Sequence, residues 1–228
     1  MLKIEAMKEN KVKNLKCVIF DLDGTLMNTE RSIMECVDYS TEKLGYPMLS
    51  YEQKLKFIGP PLMYSYTHAY GCSEEEAREL IAAYREFYGV DALLHVDPYD
   101  GIYDLCQGVI DLGLKAAVAT NKAQIYADRI LQHFGFDKYL TVIHGADMKS
   151  KLGKPDLIRL AAKDCGADLL ECVMVGDTEF DAKGAEEAGV PFLAVTYGFA
   201  NMDEMLKYPN IGIADSTAEV LEMIRKMA

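Results

Sequence analysis

Asp21 and Asp23 stand where an unbroken apolar run, Cys17-Val18-Ile19-Phe20, stops inside the stretch KCVIFDLDGTLMNTE. Two carboxylates leaving a buried strand repel each other and are poorly solvated unless something positive lies between them. A divalent cation held by oxygen ligands answers that need, and Gly24 lets the backbone bend sharply straight after the acids. A lone D-x-D-G also reads as a solvated turn. Three later positions carry the same texture, however. Ala116–Ala119 runs into Thr120-Asn121, Lys154-Pro155-Asp156 opens a helical pattern, and Cys172–Val175 runs into Gly176-Asp177-Thr178-Glu179-Phe180-Asp181. Each has a structural alternative: a helix cap for Thr120, a solvated charge for Lys154, and a complement to a helix dipole for the acids. Taken together they offer a metal site and one positive charge, enough to reverse the local sign for a small anion.

The elements that must position these residues follow from periodicity. Cys17–Phe20 suits a strand buried on both faces of a parallel sheet, whose carboxyl ends are where ligands bind in open α/β folds. Helical spacing is then expected over Glu30–Leu44, from Ser50 through Phe57, over Leu62–Tyr70, and from the Ser73/Glu76 capping box to about Tyr88. Leu80, Ile81, Tyr84 and Phe87 should line the buried face of the last of these. Nothing between residues 30 and 95 reads as a strand. At Val96-Asp97-Pro98-Tyr99-Asp100-Gly101 turn formers mark a linker. Strands are then expected at Leu114–Ala119, Leu140–Ile143, Cys172–Val175, Pro191–Val195 and Ile211–Ile213, alternating with helices. That order predicts an α/β, Rossmann-like parallel sheet. The core is expected over 1–29 and 97–228, with a helical insertion over 30–96.

Composition limits the partners. The chain has 228 residues, half of them hydrophobic, and a formal net charge of −12. Such a field disfavours nucleic acid and anionic membranes, which need a basic footprint. The six cysteines contain no C-x-x-C pair, and several lie inside apolar runs. Reduced thiols in a cytoplasmic protein are expected. MLKIEAMKENKVK lacks the apolar core of a signal peptide, and no stretch is long enough to span a membrane.

D-L-D-G-T-L after four apolar residues resembles the phosphatase branch of the haloacid dehalogenase superfamily. The later Thr, Lys and acid pair match the remaining motifs of that family in order, and the helical insertion resembles its mobile cap. The resemblance covers essentially residues 16–228. It implies an Mg²⁺-dependent phosphatase acting on a small phosphorylated metabolite, with Asp21 as nucleophile and Asp23 as general acid/base. Thr120 and Lys154 would hold phosphoryl oxygens. Asp177 would complete the metal site with the Asp21 carboxylate and the Asp23 backbone carbonyl, and Asp181 would hold Lys154 or a metal-bound water. Gly24, Pro60 and Asn121 are expected beside the substrate. Phe57-Ile58-Gly59-Pro60-Pro61-Leu62 looks like a segment of phosphoglycolate-phosphatase-like and 5′-nucleotidase-like members, although Gly and two prolines also simply stop a helix. The cap tyrosines Tyr64, Tyr66, Tyr70, Tyr84 and Tyr88 read as packing before base-stacking. His68 and His95 read as ordinary histidines.

Asp23 speaks against a dehalogenase, which lacks that acid. Gly176-Asp177 speaks against the related sugar-phosphate phosphomutases, which usually carry Glu-Asp there. A phosphoacceptor switch of the response-regulator type shares the acids, Thr and Lys but has no helical insertion. A monomer or a homodimer is expected.

Overall fold

The computed structural model describes residues 12–147, 152–199 and 201–228. Most of the N-terminal stretch read above for a leader lies outside them. Its centre is a six-stranded parallel sheet in the order β5-β4-β1-β6-β7-β8. The strands are β1 (Cys17–Phe20), β4 (Lys115–Ala123), β5 (Leu140–Ala146), β6 (Cys172–Gly176), β7 (Phe192–Val195) and β8 (Gly212–Ala214). β1 lies between β4 and β6, so both neighbours and both faces bury it, and its four residues are 0% exposed. This is why the run carries no polar alternation. Alternate residues feed opposite layers. Val18 and Phe20 join the core shared with α5 (Ile102–Asp111), α6 (Gln124–His133) and α10 (Thr217–Met227). Cys17 and Ile19 pack with α7 (Lys154–Asp164) and α8 (Glu179–Ala188).

The chain leaves the sheet through β2 (Met27–Asn28) and returns through β3 (Asp97–Pro98), which pair antiparallel. The linker read at 96–101 is thus tied to the outgoing chain, a pairing two residues long that no local pattern announces. Between them lie α1 (Glu30–Leu44), α2 (Tyr51–Leu55), α3 (Leu62–Tyr70) and α4 (Glu74–Phe87). Ser50 and Ser73 each close a capping box, with Gln53 and Glu76. Beyond Phe87 the last helix continues as a π-helical turn, Tyr88–Ala92, which places Tyr88 in full burial. Phe87 itself is half-buried and stacks on Tyr39 at 4.8 Å. A short helix α9 (Met202–Met205) follows β7 and was not legible as periodicity. Among the described residues all six cysteines are free thiols, and no helix is long and apolar enough to cross a membrane.

Candidate active site

β1, β4 and β6 end side by side, which brings Asp21, Thr120 and Asp177 to one edge. β4 is longer than its apolar run suggests, so Thr120 and Asn121 lie within the strand and Ala123 takes the N-cap of α6. Thr120 Oγ1 accepts from the Lys122 amide at 3.2 Å and caps no helix. Lys154 is the first residue of α7 and is 6% exposed, far from a solvated charge. Its ammonium donates to Asp21 Oδ1 at 2.7 Å and to the Ala119 carbonyl at 3.0 Å, and lies 2.6 Å from Asp181 Oδ1. Asp181 works twice. Its Oδ2 accepts from the Thr178 amide and hydroxyl, closing the capping box of α8, while Oδ1 faces the lysine. The one carboxylate thus caps α8 and faces Lys154 at the same time.

Asp177 is 0% exposed. Thr25 Oγ1 donates to its Oδ1 at 3.1 Å, and the Phe199 amide donates to its Oδ2 at 2.8 Å. Gly24, at φ +81°, passes so close that a Cβ there would lie 2.0 Å from Asp177 Oδ2. Its amide donates to the Met27 carbonyl at 2.8 Å, so the N–H is spent within its own loop. What glycine supplies here is room as well as the turn.

One oxygen each of Asp21, Asp177 and Asp181 lie within 4.8 Å of one another. Asp21 and Asp181 share Lys154, while Asp177 lies beside them without a cationic partner among the described residues, and burial raises the pKa of Asp21 and of Asp177. Burial, with the charges of Asp181 and Asp23 adding to it, pushes Asp21 up to about 7 against the pull of Lys154. Burial also drives Asp177 well above the usual carboxylate range, helped by Asp181 and Asp21. For Lys154, burial works against the charge, but Asp181 and Asp21 outweigh it and hold the group above its ordinary value. The donor set is all hard oxygen, which fits a Mg²⁺-sized cation.

A lysine that the sequence reading passed over completes the site. Lys122 follows Thr120 by two positions and is buried, with its Nζ 3.0 Å from Asp23 Oδ1 and donating to the Tyr88 hydroxyl at 2.6 Å. Burial pulls its ammonium down, but Asp23 and Tyr88 raise it above the ordinary lysine value. Its only sequence signal is a lysine just past a strand end, which is indistinguishable there from a solvated charge.

Above the strand ends opens a cleft of about 1030 Å³, reached by Asp23, Lys122, Lys154, Asn121 and Pro60. Asn121 Nδ2 also donates to the Gly59 carbonyl at 3.2 Å, joining β4 to the loop before α3. Ile58 is buried and does not line the cleft. The cap tyrosines divide. Tyr66 and Tyr70 spend their hydroxyls on Ser40 and on the Pro47 carbonyl. Tyr64, Tyr84 and Tyr88 face the cleft, with Tyr64 stacked on His68 at 3.8 Å. His95 lies away from the cleft, 2.6 Å from Glu35.

Comparison with known proteins gives the class. Residues 18–195 match the family model of haloacid dehalogenase-like hydrolases. A 5′-nucleotidase of Pseudomonas aeruginosa is 34% identical over 209 residues, covering 90% of this chain and 95% of that protein. The tyrosine-protein kinase PtkA of Mycobacterium tuberculosis is 35% identical over 82% of this chain, which spans 64% of that protein. A crystal structure of a predicted phosphatase from Clostridium acetobutylicum superposes with a TM-score of 0.89 at 32% identity, over 94% of this chain and 100% of that one. The chain belongs to the haloacid dehalogenase-like hydrolases and is a phosphoric monoester hydrolase of that family.

Proposed function

We propose that this chain hydrolyses a small phosphate monoester, with Mg²⁺ as cofactor, through a phosphoryl group carried on Asp21. The observation that carries the reading is the cluster of three buried carboxylates, Asp21, Asp177 and Asp181, two of which also pair with the buried Lys154. Asp21, Asp177 and the Asp23 backbone carbonyl would hold the cation, whose charge, when bound, offsets that of the carboxylates and of the phosphate. Phosphate monoesters are anions attacked by an anion, so cancelling charge dominates their catalysis. Asp21 attacks phosphorus, and the bond to the leaving alcohol breaks. Asp23 gives that oxygen a proton, then removes one from the water that releases phosphate, splitting one hard step into two. Lys154 and Thr120 bind phosphoryl oxygens, and Asp181 keeps Lys154 in place. The division into a core over 1–29 and 97–228 and a specificity cap over 30–96 belongs to this proposal.

The leaving group lies in the cleft. Tyr64, Tyr84, Tyr88, Tyr126 and Phe180 give its wall flat apolar faces, and its 1030 Å³ far exceed what a two-carbon acid fills. We therefore rank nucleoside 5′-monophosphates first. A second reading is a compact substrate with another anionic group, such as phosphoglycolate, which Arg78, Arg85 and Lys183 of the lining could meet, although Arg78 and Lys183 pair with Glu74 and Glu187 of the same wall. The test is phosphate release from nucleoside monophosphates, phosphoglycolate, sugar phosphates and p-nitrophenyl phosphate, with Mg²⁺ and with excess EDTA. Turnover that persists in EDTA would defeat the metal reading. A kcat/KM for phosphoglycolate above that of every nucleotide would reverse the ranking.

A further inference from the structure

Lys122 and Tyr88 form a buried connection that the proposed chemistry does not use. Lys122 belongs to β4, in the sheet, whereas Tyr88 opens the π-helical turn at the end of the helical insertion. The Tyr88 hydroxyl accepts from Lys122 Nζ at 2.6 Å, and the same ammonium lies 3.0 Å from Asp23 Oδ1, with its centre 4.8 Å from the Tyr88 ring centroid. Lys122 is the ion-pair partner of Asp23 among the described residues. Tyr88 is 1% exposed and sits between core and insertion, its ring stacked on Tyr84 and edge-on to Tyr126 of α6.

We propose that Tyr88 and Lys122 are positioning residues: the seated helical insertion holds Lys122 through the Tyr88 hydroxyl, and Lys122 holds the Asp23 carboxyl in the geometry for proton transfer. This rests on the assignment of Asp23 as acid/base. The physical argument is one of freedom. A lysine has four rotatable bonds and three donors, so an ion pair alone leaves its ammonium several placements around a carboxylate. A second, fixed acceptor removes most of them. Because that acceptor belongs to the insertion and the donor to the sheet, the Asp23 carboxyl is fully held only when the two are together. Small misplacements of a catalytic group cost rate steeply, so a single hydroxyl can matter.

Tyr88→Phe removes the hydroxyl while keeping the ring and its packing. With an alkyl phosphate, whose leaving group needs a proton, kcat should fall about 10-fold with KM changed less than about 2-fold. With p-nitrophenyl phosphate the first release of p-nitrophenolate should keep its rate, and only later turnover should slow. Lys122→Met should show the same pattern more strongly, and Lys122→Arg should recover part of the loss. The controlling comparison is Asp23→Asn. In that background Tyr88→Phe should cost nothing further, since the group it positions is gone. Equal slowing by Tyr88→Phe of the first product release from both substrates, a change confined to KM, unchanged kcat, or full additivity with Asp23→Asn would each overturn the relay. If Asp23→Asn itself shows no dependence on the leaving group, the acid/base assignment fails instead, and the two failures are distinguishable. Should Lys122→Met not fold, Tyr88→Phe alone decides.

Discussion

The two sides of the cleft are built on opposite rules. At the strand ends the charged groups are buried and have fixed partners: Lys154 with Asp21 and Asp181, Lys122 with Asp23, Asp177 with Thr25 and the Phe199 amide. On the helical side the lining is aromatic and partly open, and Tyr64 is 44% exposed. Buried charges are tolerable only when satisfied, so a change of one group on the sheet side strands its partner. Apolar, half-open walls tolerate exchange of similar volumes. The sheet side should therefore fix what reaction occurs, and the helical side which molecule undergoes it.

Mutations can break that contrast. The largest effect is expected at Asp21→Asn, which keeps the volume and removes the nucleophile. Turnover of every substrate should fall by roughly 10⁴-fold or more, as when an enzyme loses its nucleophile, and phosphate release measured across the substrate panel checks it. Residual activity that varies strongly with substrate would break the division. Asp177→Ala should abolish activity at ordinary Mg²⁺ concentrations, because Mg²⁺ is left with too few anionic ligands. An unchanged Mg²⁺ dependence of kcat would overturn the ligand assignment.

Asp23→Asn should be graded. Asn keeps the backbone carbonyl and the size, and loses proton transfer, a factor of about 10² to 10⁴. A burst of p-nitrophenolate of about one equivalent, followed by slow turnover, is expected by the stoichiometry of a covalent intermediate. The phosphate should be found on Asp21, stable to acid and labile to hydroxylamine.

On the helical side, substitutions at Pro60 or Met63 should reorder the substrates by about 10-fold, the worth of one or two apolar contacts. Their rate on p-nitrophenyl phosphate should change little. A uniform drop on all substrates would show that the loop serves the fold rather than selection.

The smallest effect is on stability. In the metal-free chain Asp21 is raised to about 7, so its contribution to folding is present below about pH 4 and is lost as the pH rises through 7. The metal-free protein should melt lower at pH 8 than at pH 5. Mg²⁺ should raise its Tm more at pH 8, by roughly 2 to 4 °C for each kcal/mol recovered. Calorimetry with Mg²⁺ and with EDTA at both pH values tests this, and an equal Mg²⁺ increment at both would contradict the shared-charge cluster.

Sequence alone determined the parts of this protein whose cause is local. The apolar run of β1, the capping boxes at Ser50 and Ser73, and the helices Glu30–Leu44 and Leu62–Tyr70 follow from periodicity and side-chain chemistry over a few residues. The acids and Thr120 stood out because polar groups at the ends of buried strands need a reason, and Lys154 only through its place in the order of motifs. Tertiary structure alone decided which groups share charge. Lys154 meets Asp21 across 133 positions of chain, and Thr25 meets Asp177 across 152. Periodicity carries no information about such pairs. Lys122 and Tyr88 show the limit most clearly: a lysine beyond a strand end and a tyrosine at a helix end look ordinary until the sheet and the helical insertion are brought together. Only that meeting excludes water from both, and burial is what turns an ordinary charge into one that must have a partner.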